Sequence, residues 1–167
     1  MKKLLLLSIA LILLAFSQET KAQFSVGAGT CYATDISSLG LSANVSYDIN
    51  EDFFATSDFT YFFEKDLVSW SAFDVNANYA FLKLDKIGSI YGIGGINITS
   101  VKIDIPKVAF GGALAGGGSV SESNFGFNIG AGLKIDLTDK ILLAPEMSYT
   151  ISSGSYFRLG VRLMYKL

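Results

Sequence analysis

Hydrophobic and polar residues alternate along most of this chain, most cleanly at its C-terminal end. From Tyr156 to Leu167 the chain reads Y-F-R-L-G-V-R-L-M-Y-K-L, with Phe157, Leu159, Val161, Leu163, Tyr165 and Leu167 on one parity. Arg158, Gly160, Arg162, Met164 and Lys166 fall on the other. Successive side chains of a β-strand point to opposite faces, so the segment has one apolar and one basic face. A soluble β-protein turns such an apolar face inward. A membrane barrel turns it outward to lipid and keeps the charges in its lumen.

The same alternation, interrupted by turns, predicts seven earlier strands. Strand one, Gln23 to Ala33, sets Phe24, Val26, Ala28, Thr30 and Tyr32 against Ser25, Gly27, Gly29 and Cys31; a polar loop from Thr34 to Gly40 follows. Strand two sets Leu41, Ala43, Val45 and Tyr47 against Ser42, Asn44, Ser46 and Asp48. After a tight turn at 49–52, strand three sets Phe53, Ala55, Ser57, Phe59, Tyr61 and Phe63 against Phe54, Thr56, Asp58, Thr60 and Phe62. Strand four opposes Phe73, Val75, Ala77 and Tyr79 to Asp74, Asn76 and Asn78.

Strand five starts near Ile87. Ser89, Tyr91, Ile93, Gly95, Asn97, Thr99, Val101, Ile103 and Ile105 share one of its faces, while Gly88, Gly92, Gly94, Ser100, Lys102 and Asp104 line the other. A Gly- and Ala-rich tip from Pro106 to Gly118 leads to strand six, with Phe125, Phe127, Ile129, Ala131, Leu133 and Ile135 against Asn124, Gly126, Asn128, Gly130, Gly132, Lys134 and Asp136. Strand seven opposes Ile141, Leu143, Pro145, Met147 and Tyr149 to Ala144, Glu146, Ser148 and Thr150, and a turn at Ser152, Ser153 and Gly154 leads into the last strand. Short connections make every neighbour antiparallel. Eight strands is also the smallest common size for a closed membrane barrel.

Three features favour lipid on the outside. The non-apolar parity is Gly, Ser, Asn and Thr with a few charges, which suits a narrow lumen better than a watered surface rich in Lys and Glu. Aromatics of the apolar parity, such as Tyr32, Tyr47, Phe53, Tyr79, Tyr149 and Tyr165, gather near strand ends, where interfacial girdles form. The strands reach the ~9–11 residues a tilted strand needs to cross hydrocarbon. Backbone groups in lipid must all be paired, so the first strand should close on the last. The competing fold is a soluble secreted lipocalin-like ligand-binding barrel with the faces reversed.

Composition agrees with a β-protein: 17 glycines, 13 phenylalanines and 8 tyrosines stand beside only 2 prolines in 167 residues. The N-terminus reads as a cleaved export signal over residues 1–22. Lys2 and Lys3 precede an apolar run from Leu4 to Phe16, too short for a membrane helix of about 20 residues, and Thr20 and Ala22 are the small residues before a cut. Residues 23–167 form the single remaining domain. A formal charge of −2 without basic runs gives no reason to expect nucleic acid, and one cysteine, Cys31, allows no internal disulfide.

With no histidine, a Ser–His or His–Asp mechanism cannot be assembled. Ser42, Ser46 and Ser148 have no lysine at adjacent positions, so no catalytic residue is assigned. No spaced ligand motif marks a metal site for Asp48, Asp58 and Asp74, and Gly92-x-Gly94-Gly95 lacks the helix and Lys-Ser/Thr of a phosphate loop, so no cofactor is expected either. The candidate site is a lumenal charge network. If the last turn centres on 152–154, Glu146 lies opposite Gly160 with Arg158 and Arg162 diagonally placed, all on lumenal parity. Such a network would plug the lumen or, in the sharper reading, gate a narrow ion path.

The G-F-N-I-G-A-G-L-K-I-D-L run at 126–137, the I-L-L-A-P-E-M-S-Y that follows and the closing strand resemble the small outer-membrane β-barrel domain family. Its general relatives are the OmpA transmembrane domain and OmpX-like proteins. The resemblance covers Gln23 to Leu167 and implies an eight-stranded antiparallel up-and-down transmembrane β-barrel in the outer membrane of a Gram-negative-type bacterium. It also implies that barrel-assembly machinery reads Tyr156 to Leu167, although the family usually ends in an aromatic residue and this chain ends in Leu167.

The expected function is non-catalytic, structural or surface-interacting in the cell envelope, with a subunit of a secretion or assembly complex as the alternative. Its expected partners are outer-membrane lipid and, at the long hairpin between Val101 and Ser123, an extracellular protein.

Overall fold

The computed structural model describes residues 24–167 apart from 66, 85–86, 106–107, 111–112 and 116–117. The export signal read over residues 1–22 lies outside the described residues, as do Gln23 and part of the tip between Pro106 and Gly118. Ten strands follow in order: β1 (Phe24–Ala33), β2 (Ser38–Asp48), β3 (Phe53–Lys65), β4 (Val68–Leu84), β5 (Gly88–Ile105), β6 (Val108–Phe110), β7 (Ala113–Ala115), β8 (Gly118–Asp136), β9 (Ile141–Ile151) and β10 (Tyr156–Lys166). Eight of them close into an antiparallel barrel in the ring order β1-β10-β9-β8-β5-β4-β3-β2. β6 and β7 pair with each other in the tip between β5 and β8.

The first strand closes on the last, from Ser25↔Lys166 to Ala33↔Arg158. Leu167 completes the seam by donating its N–H to the Phe24 carbonyl at 2.9 Å. Side-chain chemistry sets the turns at the end where this seam finishes. Asn50 accepts from the amides of Asp52 and Phe53 through Oδ1, at 2.9 and 2.8 Å, and fixes the β2–β3 turn. The Thr138 hydroxyl does the same for Lys140 and Ile141 at β8–β9. At the opposite end the β1–β2 turn is shorter than the sequence suggests: β2 begins at Ser38, and Ser37 donates its amide to Thr34 at 3.1 Å. The last three residues of the loop expected up to Gly40 are therefore strand, because Ser38, Leu39 and Gly40 pair with Ala33, Tyr32 and Cys31.

Along each strand, residues of one parity point outward and those of the other point into the lumen. Phe59, Phe73, Phe125, Phe127 and Ile129 are exposed on the outside, at 45–60% of their surface, while Asp58, Asp74 and Asn128 are buried within. Phe24–Tyr47 and Phe53–Tyr79 pack as ring pairs, centroids 4.8 and 4.7 Å apart, at the end carrying the chain termini.

Strand five requires a correction. Its parity sets are as expected, but the set with Tyr91, Ile93, Asn97 and Thr99 faces the lumen, where all four are buried. The opposite face is not a small-residue face: Ile96 and Ile98 stand exposed between Val75 and Phe127, and between Phe73 and Phe125. Both parities of this glycine-rich strand mix apolar and small residues, so polar partners decide. Tyr91 and Asn97 hydrogen-bond to Glu146 and Asp74 across the interior. A one-residue offset after Ala80, which pairs with Tyr91 while Leu82 pairs with Ile90, puts Phe81 and Leu82 outward in succession.

An apolar exterior around a polar interior places the outer face in hydrocarbon, since no water-exposed surface carries so continuous a band. Lysine at Ile129, central in the band, is expected to cost about 2–4 kcal/mol of stability in lipid vesicles. The same change at Val120, on the part of β8 beyond its β9 pairing, should cost close to nothing. Urea unfolding followed by the fluorescence of Trp70 measures both.

Candidate functional site

The interior is layered. At the end away from the termini, Ala33, Phe62, Ala72 and Tyr156 form a buried apolar cluster joined by Ile36 and Trp70. Toward the other end Phe54, Ala80, Tyr91 and Ile93 form a second cluster. Between them lies a polar chamber of about 50 Å³, lined by Cys31, Asn44, Asp58, Asp74, Glu146, Arg158 and Arg162 among others.

The register of β3 on β4 puts Asp58 directly beside Asp74. Two carboxylates in that position repel unless each has a cation. Both cations come from β10, which lies diametrically across the ring from β4. Arg158 forms a forked pair with Asp74, Nη1 to Oδ2 at 2.8 Å and Nη2 to Oδ1 at 3.1 Å. Arg162 donates to Asp58 at 2.5 Å, and its other terminal nitrogen pairs with Glu146. The two arginines are four residues apart on one face of one strand, so β10 carries two struts across the lumen.

The structure brings Glu146 and Arg162 together and places Gly160 opposite Glu146 in the ladder. It does not bring Arg158 to Glu146, because Asp74 holds that guanidinium. Glu146 also accepts the Tyr91 hydroxyl. Gly132 and Gly160 flank Glu146 on the neighbouring strands. A Cβ at Gly132 would lie 2.5 Å from the Tyr91 ring and 2.8 Å from Glu146 Cγ, so this meeting of side chains depends on glycine there.

Sequence reasoning saw Asp58 and Asp74 only as separate acids, and missed the amides around them. Asn97 and Asn128 each donate to Asp74 at 2.7 Å, and Asn44 donates to Asp58 at 2.5 Å. Thr150 fixes Asn128 at 2.8 Å and Thr99 fixes Asn97 at 2.6 Å. The available signal was an Asn or Asp at lumenal parity on β2, β3, β4, β5 and β8. Asp48, the third acid considered for a cation, is held by Lys134 at 3.0 Å, and that ammonium also stands 4.9 Å above the Phe54 ring.

Among the described residues, four buried polar atoms lack a protein partner: Asn44 Oδ1, Asn78 Oδ1, Arg158 Nε and Arg162 Nε. Three of these side chains line the chamber, which has room for the bridging water such groups recruit. Among the described residues, no group of three or more His, Cys, Asp or Glu is arranged to hold a metal ion. Cys31 is free, half-buried, and lines the chamber wall.

A closed eight-stranded ring, apolar outside and bound by charge pairs inside, defines a transmembrane β-barrel. A soluble lipocalin-like barrel, whose apolar faces must point inward, is excluded by the aspartates, asparagines and arginines of the interior. Residues 4–164 match the family described as the outer membrane protein beta-barrel domain, and the chain belongs to that family, in the outer membrane of Gram-negative-type bacteria.

No curated protein matches the chain in sequence. Solved structures share the fold at low identity. The N-terminal β-barrel domain of Pseudomonas aeruginosa OprF superposes with a TM-score of 0.63 at 13% identity, over 87% of this chain and 98% of that one. Neisserial surface protein A gives 0.61 at 15%, over 86% and 97%. Ail, the attachment invasion locus protein of Yersinia pestis, gives 0.59 at 19%, over 87% and 97%.

Removing Asp74 should be the most damaging change in the lumen, since it strands Arg158 and takes one of two acceptors from each of the Asn97 and Asn128 amides. Asp74→Ala is expected to cost about 3–5 kcal/mol, the usual loss when one partner of a buried pair is deleted. Adding Arg158→Met should recover much of that loss. Glu146→Gln, which leaves Arg162 on Asp58, should cost less than Asp74→Ala. Denaturant titration in detergent, with heat-modifiable gel migration as the measure of folding, ranks the three.

Proposed function

We propose that this protein is a non-catalytic outer-membrane barrel with a structural or surface-interaction role, and that its projecting β5–β8 sheet is the contact surface. The observation that carries the reading is an unpaired strand edge. β8 pairs with β5 along its whole length, to Ile105↔Gly118, but its ladder with β9 ends at Phe127↔Ile151. Among the described residues, the β9-side edge along residues 118–126 has no ladder partner, and the Ser153 hydroxyl donates to Asn124 there at 2.9 Å. Unpaired N–H and C=O groups in a row are a template for an added strand.

The sheet stands at the end opposite the chain termini, which is the extracellular end if strand one leaves from the periplasm. An extracellular protein that supplies a β-strand fits the surface between Val101 and Ser123. Ail, which shares the barrel shape, has been solved in complex with the heparin analogue sucrose octasulfate.

The lumen supports a structural role better than conduction. Two apolar clusters bracket the chamber, and Glu146, Arg158 and Arg162 act as plug and struts, with no gating role. On the same reading, residues 1–22 are a cleaved export signal, residues 23–167 are the barrel domain, and barrel-assembly machinery recognises Tyr156 to Leu167. The second reading, a subunit of an envelope secretion or assembly complex, draws on the same open edge, with the partner strand coming from another envelope protein.

Alternate amides of β8 point away from β5. Of Ser121→Pro and Glu122→Pro, therefore, one removes an outward donor and the other interrupts the β5–β8 ladder. Cross-linking on intact cells should lose the adduct formed with the wild type when the outward donor is removed, while heat-modifiable migration stays unchanged. An adduct that survives both prolines rejects edge pairing. Planar-bilayer recordings on the wild type should show no steady conductance; a stable open level would reject the plugged lumen.

A further inference from the structure

The wall of the barrel has a flaw on its outward side. Pairing of β8 with β9 runs from Phe127↔Ile151 to Gly132↔Glu146, and resumes at Ile135↔Leu143. The two positions between, Leu133 with Pro145 and Lys134 with Ala144, are not joined. Pro145 accounts for the break: it has no N–H to give β8, while it keeps its place opposite Val161 of β10. Prolines in sheets sit on edges or at bulges. A closed ring has no edge, so this one opens a gap in the ladder.

The outer surface is indented at the same place. A groove of about 390 Å³ lies among Ile90, Leu133, Pro145, Met147 and Leu159, and Ala131 is the smallest outward side chain lining it. Cavities of about 300–1,000 Å³ are the size that holds small ligands. The groove is apolar. The carboxylate of Glu146, its only charged lining residue, is held on the lumenal side by Arg162 and Tyr91.

We propose that this groove seats one hydrocarbon chain of a membrane lipid, held against β8 and β9 in preference to the rest of the barrel surface. The groove opens directly onto the apolar band that faces the membrane, so hydrocarbon is the medium that reaches it. On a smooth barrel wall a lipid chain touches protein along one side. Here Ile90 and Leu159 rise on strands to either side of the β8–β9 gap, and a chain lying between them gains dispersion contacts on more than one side. Ala131 leaves the space open, and Pro145 keeps the two strands from closing over it. Nothing in this requires an opening into the lumen, because the Gly132–Glu146–Gly160 row stays paired behind the groove.

The test uses the whole barrel, isotope-labelled, in phosphatidylcholine nanodiscs doped with a phosphatidylcholine that carries a nitroxide partway along one chain. Amide broadening at Ala131, Leu133 and Met147 is compared with that at Ala43 and Phe59, a paired couple facing lipid on the opposite wall. The wild type should show excess broadening on the β8–β9 side. Ala131→Phe fills the groove and should abolish the excess; Pro145→Ala restores the N–H and should reduce it. Equal broadening on both walls of the wild type overturns the proposal, and so does an excess that survives Ala131→Phe. If that variant does not fold, the wild-type comparison and Pro145→Ala decide.

Discussion

A backbone amide in hydrocarbon has no water to bond to, and every other feature of this protein follows from that constraint. It forces the sheet to close, so β1 must meet β10, and it forces both strands to hold one register along the whole seam. Closure in turn fixes which residues share the interior. Once the ring has eight strands, the lumen is too narrow for a channel of side-chain width and too polar for a conventional core. It is filled instead by residues that satisfy one another: two arginines, three carboxylates and a set of asparagines, capped at each end by aromatic clusters.

Charge pairs of this kind contribute less to stability than their geometry suggests, because each ion gives up its water to enter the lumen. Their larger effect is on uniqueness. A slip of one residue in β10 would turn Arg158 and Arg162 out to lipid and leave Asp58 and Asp74 side by side without a cation. The struts therefore penalise wrong registers more than they reward the right one. The glycines of the inner face serve the same end: Gly132 leaves the volume into which Tyr91 and Glu146 extend.

Much of the fold is legible in the sequence because strand periodicity is local. Parity alone separates outward from lumenal residues on β1, β2, β3, β8, β9 and β10, and on β4 as far as Ala80. The position of the last turn gives the Glu146–Gly160 pairing without any structure. β5 resisted because its two faces are similarly mixed, and its orientation is set by contacts with β9 and β4 partners remote in sequence. The partner of Arg158 was hidden for the same reason: Asp74 lies 84 positions away, on the far side of the ring. Neighbouring strands can be registered from their turns, whereas contacts across a diameter depend on how the ring closes.

That closing seam also imposes an order in time. β1 is the first strand to emerge and β10 the last, yet each is the other's neighbour, so β1 keeps one unpaired edge until the whole chain has arrived. The final bond, from the Leu167 amide to the Phe24 carbonyl, joins the two extremes of the described chain. Every neighbouring pair before it can zip from a turn, but this one has no turn to start from. The loop it closes is the longest in the molecule, and its entropy cost falls on a single late step. A chain lacking its last strand would leave two raw edges, one on β1 and one on β9, where the complete ring has none.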